Sequence, residues 1–420
     1  MVEKICIVGL GYVGMPLALE FGKKCSTIGY DKNIKRVKEL KKNFDSNNEI
    51  TKSEFFKSKK LFFTYDINDI KDCTFYIIAV PTPVNKRNLP DLTLLKKACR
   101  DIGSILKKND TIVFESTVYP GVTEEICLPL IEQLSGLKQK NDFSIGYSPE
   151  RINPGDKKHS LTKVTKIISG IDDKSTIKIK KTYEKILKKI YVAQSIKVAE
   201  GAKIIENIQR DLNIALVNEF SIIFDRLKID TKNVLDAAAT KWNFINFTPG
   251  LVGGHCIGVD PYYLSFIAKK KGYKNKIIIS GRGINNFMPK FIVNKFTNFY
   301  KKNVINNKKK KILVLGLTFK ENCRDIRNSK VFELIKFLKN KNFHVDVTDP
   351  LLNKNDLYNY LQKINFKSYK SINFFNYNAI ILAVSHEKFK NINLKKIKAK
   401  KILIFDIKSF FPREFVDGRI

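Results

Sequence analysis

A chain of 420 residues with 43% apolar content is long enough to bury two or three cores. No run of about 18 apolar residues occurs, which argues against a membrane-spanning helix. Seven scattered cysteines without a Cys-x-x-Cys pair argue against a zinc site and for a reduced protein. The net charge of +36 would ordinarily point to nucleic acid or a membrane surface, but lysine is spread along the whole chain and far outnumbers arginine. That reads as compositional drift with an attraction for anionic small molecules; nucleic acid and membrane are not expected partners.

Met1-Val2-Glu3-Lys4 leads straight into an apolar strand, leaving no room for a signal peptide, so a cytoplasmic location is expected. Strands are predicted at 4–9, 26–31, 61–65, 75–80, 111–115, 143–147 and 165–169, and helices at 15–24, 33–42, 92–107, 121–135 and 172–189. This alternation implies an α/β, doubly wound parallel sheet. Residues 199–228 carry apolar residues at helical spacing and contain no proline, which predicts one long helix. Residues 230–300 continue helical around a loop at 245–262. A second alternating unit follows the lysine run 308–311, with strands at 311–316, 343–347, 379–384 and 402–406 and helices near 329–340 and 353–363. The expected division is 1–198, 199–300 and 301–420: two Rossmann-like doubly wound domains joined by a long central helix and a helical region.

Gly9-x-Gly11-x-x-Gly14 follows a strand and opens a helix, and Asp31 ends the next strand. The glycines permit a tight turn and close approach of a pyrophosphate, and the carboxylate suits ribose hydroxyls while repelling a 2′-phosphate. NAD is therefore expected rather than NADP. Three further loops leave the same sheet edge: Val80-Pro81-Thr82-Pro83, Glu115-Ser116-Thr117 before Pro120-Gly121, and Ser148-Pro149-Glu150-Arg151. By themselves these residues fit structural turns and a helix cap equally well. Lys203 and Asn207 lie four apart on the long helix, hence on one face, and both are donors able to stabilise an oxyanion. A solvated polar face is the plain alternative. Gly253-Gly254-His255-Cys256 sets a thiol on glycine-rich backbone with Asp260 four residues on. A thiol becomes useful when an alcohol is oxidised past the aldehyde, through a thiohemiacetal and a thioester.

With Gly316-Leu317-Thr318-Phe319-Lys320, Asp325 and Arg327, these elements occur in an order that resembles the UDP-glucose/GDP-mannose 6-dehydrogenase family over nearly the whole chain. Pro149-Glu150-Arg151 and His255-Cys256-Ile257-Gly258-Val259-Asp260-Pro261-Tyr262-Tyr263-Leu264 look like the branch acting on UDP-N-acetylhexosamines, which supplies surface polysaccharides such as capsule or O-antigen. The resemblance implies an NAD-dependent four-electron oxidation at C6 of UDP-N-acetylgalactosamine or UDP-N-acetylglucosamine by a homodimer. It implies Cys256 as nucleophile, Lys203 and Asn207 as oxyanion donors, Asp260 as water-orienting carboxylate, Glu150 in thioester hydrolysis and Thr117 near the reacting centre. Gly9, Gly11, Tyr12, Val13, Gly14, Asp31, Arg36, Thr82, Thr117 and Arg327 would bind the cofactor. Glu150, Arg151, Lys203, Asn207, Gly253, Gly254 and Lys320 would bind substrate, and no metal is expected. Thr248 stands where the family has arginine, Arg324 where it has proline, and Asn286-Phe287 where it has Asp-Asn. UDP-glucose or GDP-mannose is the alternative substrate. An inactive basic nucleotide- or nucleic-acid-binding protein on the same fold is the alternative of another class.

Overall fold

The computed structural model describes residues 3–46, 50–151, 161–254, 257–304 and 310–420. The chain forms two compact units, Met1–Glu206 with Tyr262–Lys274, and Asn207–Pro261 with Asn275–Ile420.

The first unit holds an eight-stranded sheet: β1 (Ile5–Val8), β2 (Thr27–Tyr30), β3 (Leu61–Thr64), β4 (Phe75–Ile78), β5 (Thr111–Phe114), β6 (Ser144–Tyr147), β7 (Lys166–Gly170) and β8 (Ile190–Val192). Its order is β3-β2-β1-β4-β5-β6-β7-β8. Strands such as Ile5-Cys6-Ile7-Val8 are buried along their whole length, because helices cover both faces of a parallel sheet. Strand order reverses between β1 and β4, so the loops after them meet at the edge where such sheets bind ligands. β7 runs antiparallel to β6, which departs from the all-parallel expectation. The connecting sequence carries Pro149, Pro154 and Gly155 and no helical pattern, which disfavours the helical crossover that a parallel return needs. The helix expected over 172–189 ends at Tyr183 and leaves room for β8.

The second unit has a six-stranded parallel sheet: β9 (Lys311–Leu315), β10 (His344–Thr348), β11 (Asn365–Phe366), β12 (Ala379–Leu382), β13 (Leu403–Asp406) and β14 (Gly418–Arg419), in the order β11-β10-β9-β12-β13-β14. Helix Val331–Asn340 and the C-terminal half of helix Ile277–Asn303 pack against it through Leu334, Ile335, Leu338, Phe296 and Tyr300. The helix expected at 353–363 is a short 3₁₀ turn, Asn355–Tyr360. The long helix runs Ile196–Leu227, 32 residues, about 48 Å at 1.5 Å per residue. The boundary of the two units falls within it.

Candidate active site

Gly9 has φ +94°, and a Cβ there would sit 3.0 Å from the Ala79 carbonyl oxygen. A Cβ on Gly14 would overlap the Gly9 carbonyl oxygen at 1.8 Å, whereas Gly11 faces open space. Two glycines thus let the chain turn, and the third leaves room above the turn. Tyr12 and Val13 are half-buried within it. Helix Gly14–Lys24 has neither a side-chain cap nor an acidic residue in its first turn, so its N-terminal N–H groups suit an anion. Asp31 stays half-exposed; its Oδ2 accepts from Leu10 N at 2.8 Å and its Oδ1 from Asn33 N at 2.8 Å. Arg36 is buried and braces the turn: Nε donates to the Leu10 carbonyl at 3.0 Å and Nη1 meets Asp45 at 2.7 Å. Its buried Nη2 has no partner among the described residues. Open space at Gly11, a free helix terminus, a half-exposed acid and an orphaned guanidinium N–H fit a dinucleotide.

The neighbouring loops are bonded to one another within this unit. Ser116 Oγ donates to the Val80 carbonyl at 2.7 Å, Thr82 Oγ1 donates to the Thr117 carbonyl at 2.6 Å, and Tyr263 OH donates to the Thr82 carbonyl at 2.8 Å. Neither Ser116 nor Thr117 caps the following helix. Buried Glu200, from the long helix, does so: its carboxylate accepts from Gly121 N at 2.6 Å and Thr123 N at 3.0 Å. Burial pushes the pKa of Glu200 up to about 7 against those two bonds. Glu150 is buried. Arg151 is held within the protein, with Nη1 on the Thr165 carbonyl at 2.8 Å and Nη2 on Glu206 at 2.8 Å.

Lys203 and Asn207, one turn apart on the long helix, are each only 7% exposed. The Lys203 ammonium has no hydrogen bond or ion pair to a described residue. In the second unit Asn207 Nδ2 donates to Asp260 Oδ2 at 2.6 Å, and Asp260, the first residue of helix Asp260–Lys270, is 2% exposed. That bond fixes the amide and leaves its second N–H to donate. His255 and Cys256 lie outside the described residues.

The glycines before them serve packing. A Cβ on Gly253 would lie 2.6 Å from the Asn328 carbonyl oxygen, and one on Gly254 (φ +89°) 2.7 Å from the Phe319 ring. Gly250 exchanges two hydrogen bonds with buried Asn218, 3.1 Å from its carbonyl and 2.8 Å from its N–H. A cleft beside this strap is lined by Gly253, Thr318, Lys320, Val384 and Lys408, at the carboxyl ends of β9, β12 and β13. Lys408 escaped the sequence reading because no motif surrounds it; only its place after β13 marks it. Burial pulls its pKa down. Buried His386 also escaped notice; its Nε2 lies 3.0 Å from Asp349 Oδ2 and 3.1 Å from Thr318 Oγ1. Arg327 lies on Asp325, with Nε 3.0 Å from both oxygens and Nη2 2.6 Å from Oδ2. Arg324 pairs with Asp356 at 2.7 and 2.8 Å. Thr248 lines a smaller pocket with Lys232 and Lys408, and Phe287 is 41% exposed.

The glycine turn of one unit and the lysine-lined cleft of the other, each at a sheet switch point, are both suited to an anionic ligand, as in a dinucleotide-binding α/β protein. Three models of the UDP-glucose/GDP-mannose dehydrogenase family match the chain: the NAD binding domain at residues 3–193, the central domain at 197–287 and the UDP binding domain at 313–413. The chain belongs to this family, and it is a nucleotide-sugar dehydrogenase that uses NAD. It is 48% identical over 421 residues to the UDP-N-acetyl-D-glucosamine 6-dehydrogenase of Salmonella typhi, covering 99% of this chain and 98% of that protein. It is 45% identical to the Pseudomonas aeruginosa protein of the same name, with 99% of each chain covered. Among solved structures, the UDP-D-ManNAc dehydrogenase from Pyrococcus horikoshii superposes with a TM-score of 0.88 at 30% identity, covering 98% of this chain and 96% of that one. In the described residues no helix is long and apolar enough to cross a membrane, and no group of His, Cys, Asp and Glu is arranged to hold a metal ion.

Proposed function

We propose that this protein oxidises a UDP-N-acetylhexosamine, UDP-N-acetylglucosamine or its galacto epimer, at C6 of the sugar to the uronate, for surface polysaccharide synthesis in the cytoplasm. The observation that carries the reading is the donor pair on the long helix: Lys203, only 7% exposed and with an ammonium that has no described protein partner, and an Asn207 amide fixed by Asp260. An ammonium left unpaired by the protein at so sheltered a position suits an oxygen that gains negative charge during turnover. The acetamido preference is supported by the names of the relatives at 45% and 48% identity.

The glycine turn would hold NAD and Asp31 would accept hydrogen bonds from its ribose hydroxyls; two NAD in succession would each take one hydride. Lys203 and Asn207 donate to the C6 oxygen, first as the hydroxyl loses its proton and again in the thiohemiacetal. Cys256 adds as thiolate to the aldehyde carbon and holds it until the second oxidation leaves a thioester. Glu150 and Asp260 orient water and take its proton as the C–S bond breaks. Lys320 and Lys408 bind the diphosphate. A homodimer is proposed on the stripe Leu216, Ile223 and Leu227 of the long helix and on Trp242, all exposed apolar residues.

The test is to incubate purified protein with NAD and each of UDP-N-acetylglucosamine, UDP-N-acetylgalactosamine, UDP-glucose and GDP-mannose, and to follow NADH. The acetamido sugars are expected to give the highest kcat/KM. UDP-glucose or GDP-mannose turned over roughly tenfold better, a difference of about 1.4 kcal/mol in transition-state binding, would overturn the substrate assignment.

A further inference from the structure

The first unit buries an ion pair that none of these steps uses. Lys166, the first residue of β7, is 1% exposed, as is Glu115, which directly follows β5. The Lys166 ammonium donates to Glu115 Oε2 at 2.7 Å and to the Pro149 carbonyl at 3.0 Å. Tyr183, fully buried at the end of helix Asp173–Tyr183, donates its hydroxyl to Glu115 Oε1 at 2.5 Å. Tyr147 OH donates to the Ser116 carbonyl at 3.2 Å, and Ser148 Oγ to the Ile167 carbonyl at 2.8 Å. Glu115 directly precedes Ser116-Thr117, and Pro149 directly precedes Glu150. One ammonium therefore ties together the two loops that carry Thr117 and Glu150.

A buried ion pair is a weak way to stabilise a sheet, since an apolar pair of similar volume often does as well. What an apolar pair cannot do is hold a backbone carbonyl and a carboxylate at one point. We propose that Lys166 is a positioning residue for the hydrolytic half of the reaction, clamping Glu115 to the Pro149 carbonyl so that Glu150 is presented to the attacking water from fixed backbone. This rests on the role given above to Glu150. In that step a water oxygen bonds to the thioester carbon, the C–S bond breaks, the thiolate leaves and the water's proton passes to Glu150. Burial pushes the pKa of Glu115 up, the Lys166 charge pulls it down, and the Glu150 charge pushes it up again. Lys166 thus also offsets the repulsion between two neighbouring carboxylates.

The experiment uses the full chain as Lys166→Met, Lys166→Arg and Glu150→Gln, mixed with UDP-N-acetylglucosamine and NAD. It reads the NADH burst and the intact protein mass. Lys166→Met is expected to keep a burst of two NADH per site, to accumulate acyl-enzyme and to lose roughly 100-fold in steady-state turnover, the scale of a small misplacement. Lys166→Arg is expected to recover part of that loss. Acyl-enzyme in Glu150→Gln but none in Lys166→Met, whether turnover is unchanged or falls with a lost burst, overturns the inference and leaves the reading of Glu150 intact. No acyl-enzyme in Glu150→Gln overturns that reading and the inference with it. Should Lys166→Met fail to fold, Tyr183→Phe decides: selective slowing of hydrolysis by several-fold supports the clamp, and unchanged or uniformly reduced rates overturn it.

Discussion

The two α/β units are built to one plan and use the same acid differently. In each, a central strand ends in a glycine with φ near +90°, and the next strand ends at an aspartate whose Oδ2 accepts the N–H that follows this glycine. Asp31 stops there, half-exposed beside a turn that runs at once into a helix. Asp349 goes further. It accepts from Leu317 N at 2.8 Å and Thr318 N at 3.3 Å, and it meets His386 Nε2 at 3.0 Å. The Asn322 N–H donates to His386 Nδ1 at 3.0 Å, so the ring proton sits on Nε2 and points to Asp349. Asp349 and His386 are 1% and 0% exposed. One acid stays half-exposed; the other holds the loop on which Lys320 stands. Polar groups saturated by the protein should govern stability, and those left open should govern activity.

The largest effect is expected from the closed group Asp349. Asp349→Ala strips an acceptor from two backbone N–H groups and from His386, and should cost about 3–5 kcal/mol in denaturant unfolding. A loss below about 1 kcal/mol would mean that Asp349 is as open as Asp31. The open group Lys203 should behave in the opposite way. Lys203→Ala should lower turnover by two to three orders, roughly the size of one oxyanion donor, with the thermal midpoint unchanged or raised. Near-normal turnover would remove Lys203 from the reaction.

Glu200 is closed, and it titrates. Its folded pKa of about 7 lies above the ordinary 4.5, so the folded state binds the proton more tightly than the unfolded state does. Its contribution is therefore greatest below the ordinary value, is lost as pH rises from about 4.5 to 7, and is flat above; the total is on the order of 3 kcal/mol. Thermal midpoints of wild type and Glu200→Gln between pH 5 and 8 check this. The variant should lack the falling component, and equal slopes would contradict it. The smallest effect belongs to the open acid: Asp31→Ser should shift the NAD/NADP preference by roughly tenfold, about 1.4 kcal/mol, with little change in stability. An unchanged preference would show that Asp31 does not face the ribose.

Strands such as Ile5-Cys6-Ile7-Val8 and Ala379-Ile380-Ile381-Leu382 were legible because a strand buried on both faces reads as a continuous apolar run. The long helix was legible from its period and its lack of proline. β8, the antiparallel direction of β7 and the 3₁₀ turn at Asn355–Tyr360 were not, because the direction of a strand and the form of a short segment are set by neighbours rather than by their own pattern. In the site, the sequence carries the spacing of Lys203 and Asn207 but not the bond from Asn207 to Asp260. It carries Gly253-Gly254 but not the close approach of Asn328 and Phe319 that excludes a side chain there. Lys166, Glu115 and Tyr183, like Asp349 and His386, are distant in the chain and become one group only when the sheet forms.

In the proposed reaction a trapped aldehyde is carried on to the acid. This is tested most directly by counting NADH formed per UDP-N-acetylglucosamine consumed while identifying the released sugar nucleotide by mass. Two NADH per molecule, a uronate product and no free aldehyde are the predicted result. One NADH per molecule with aldehyde released into solution would contradict it.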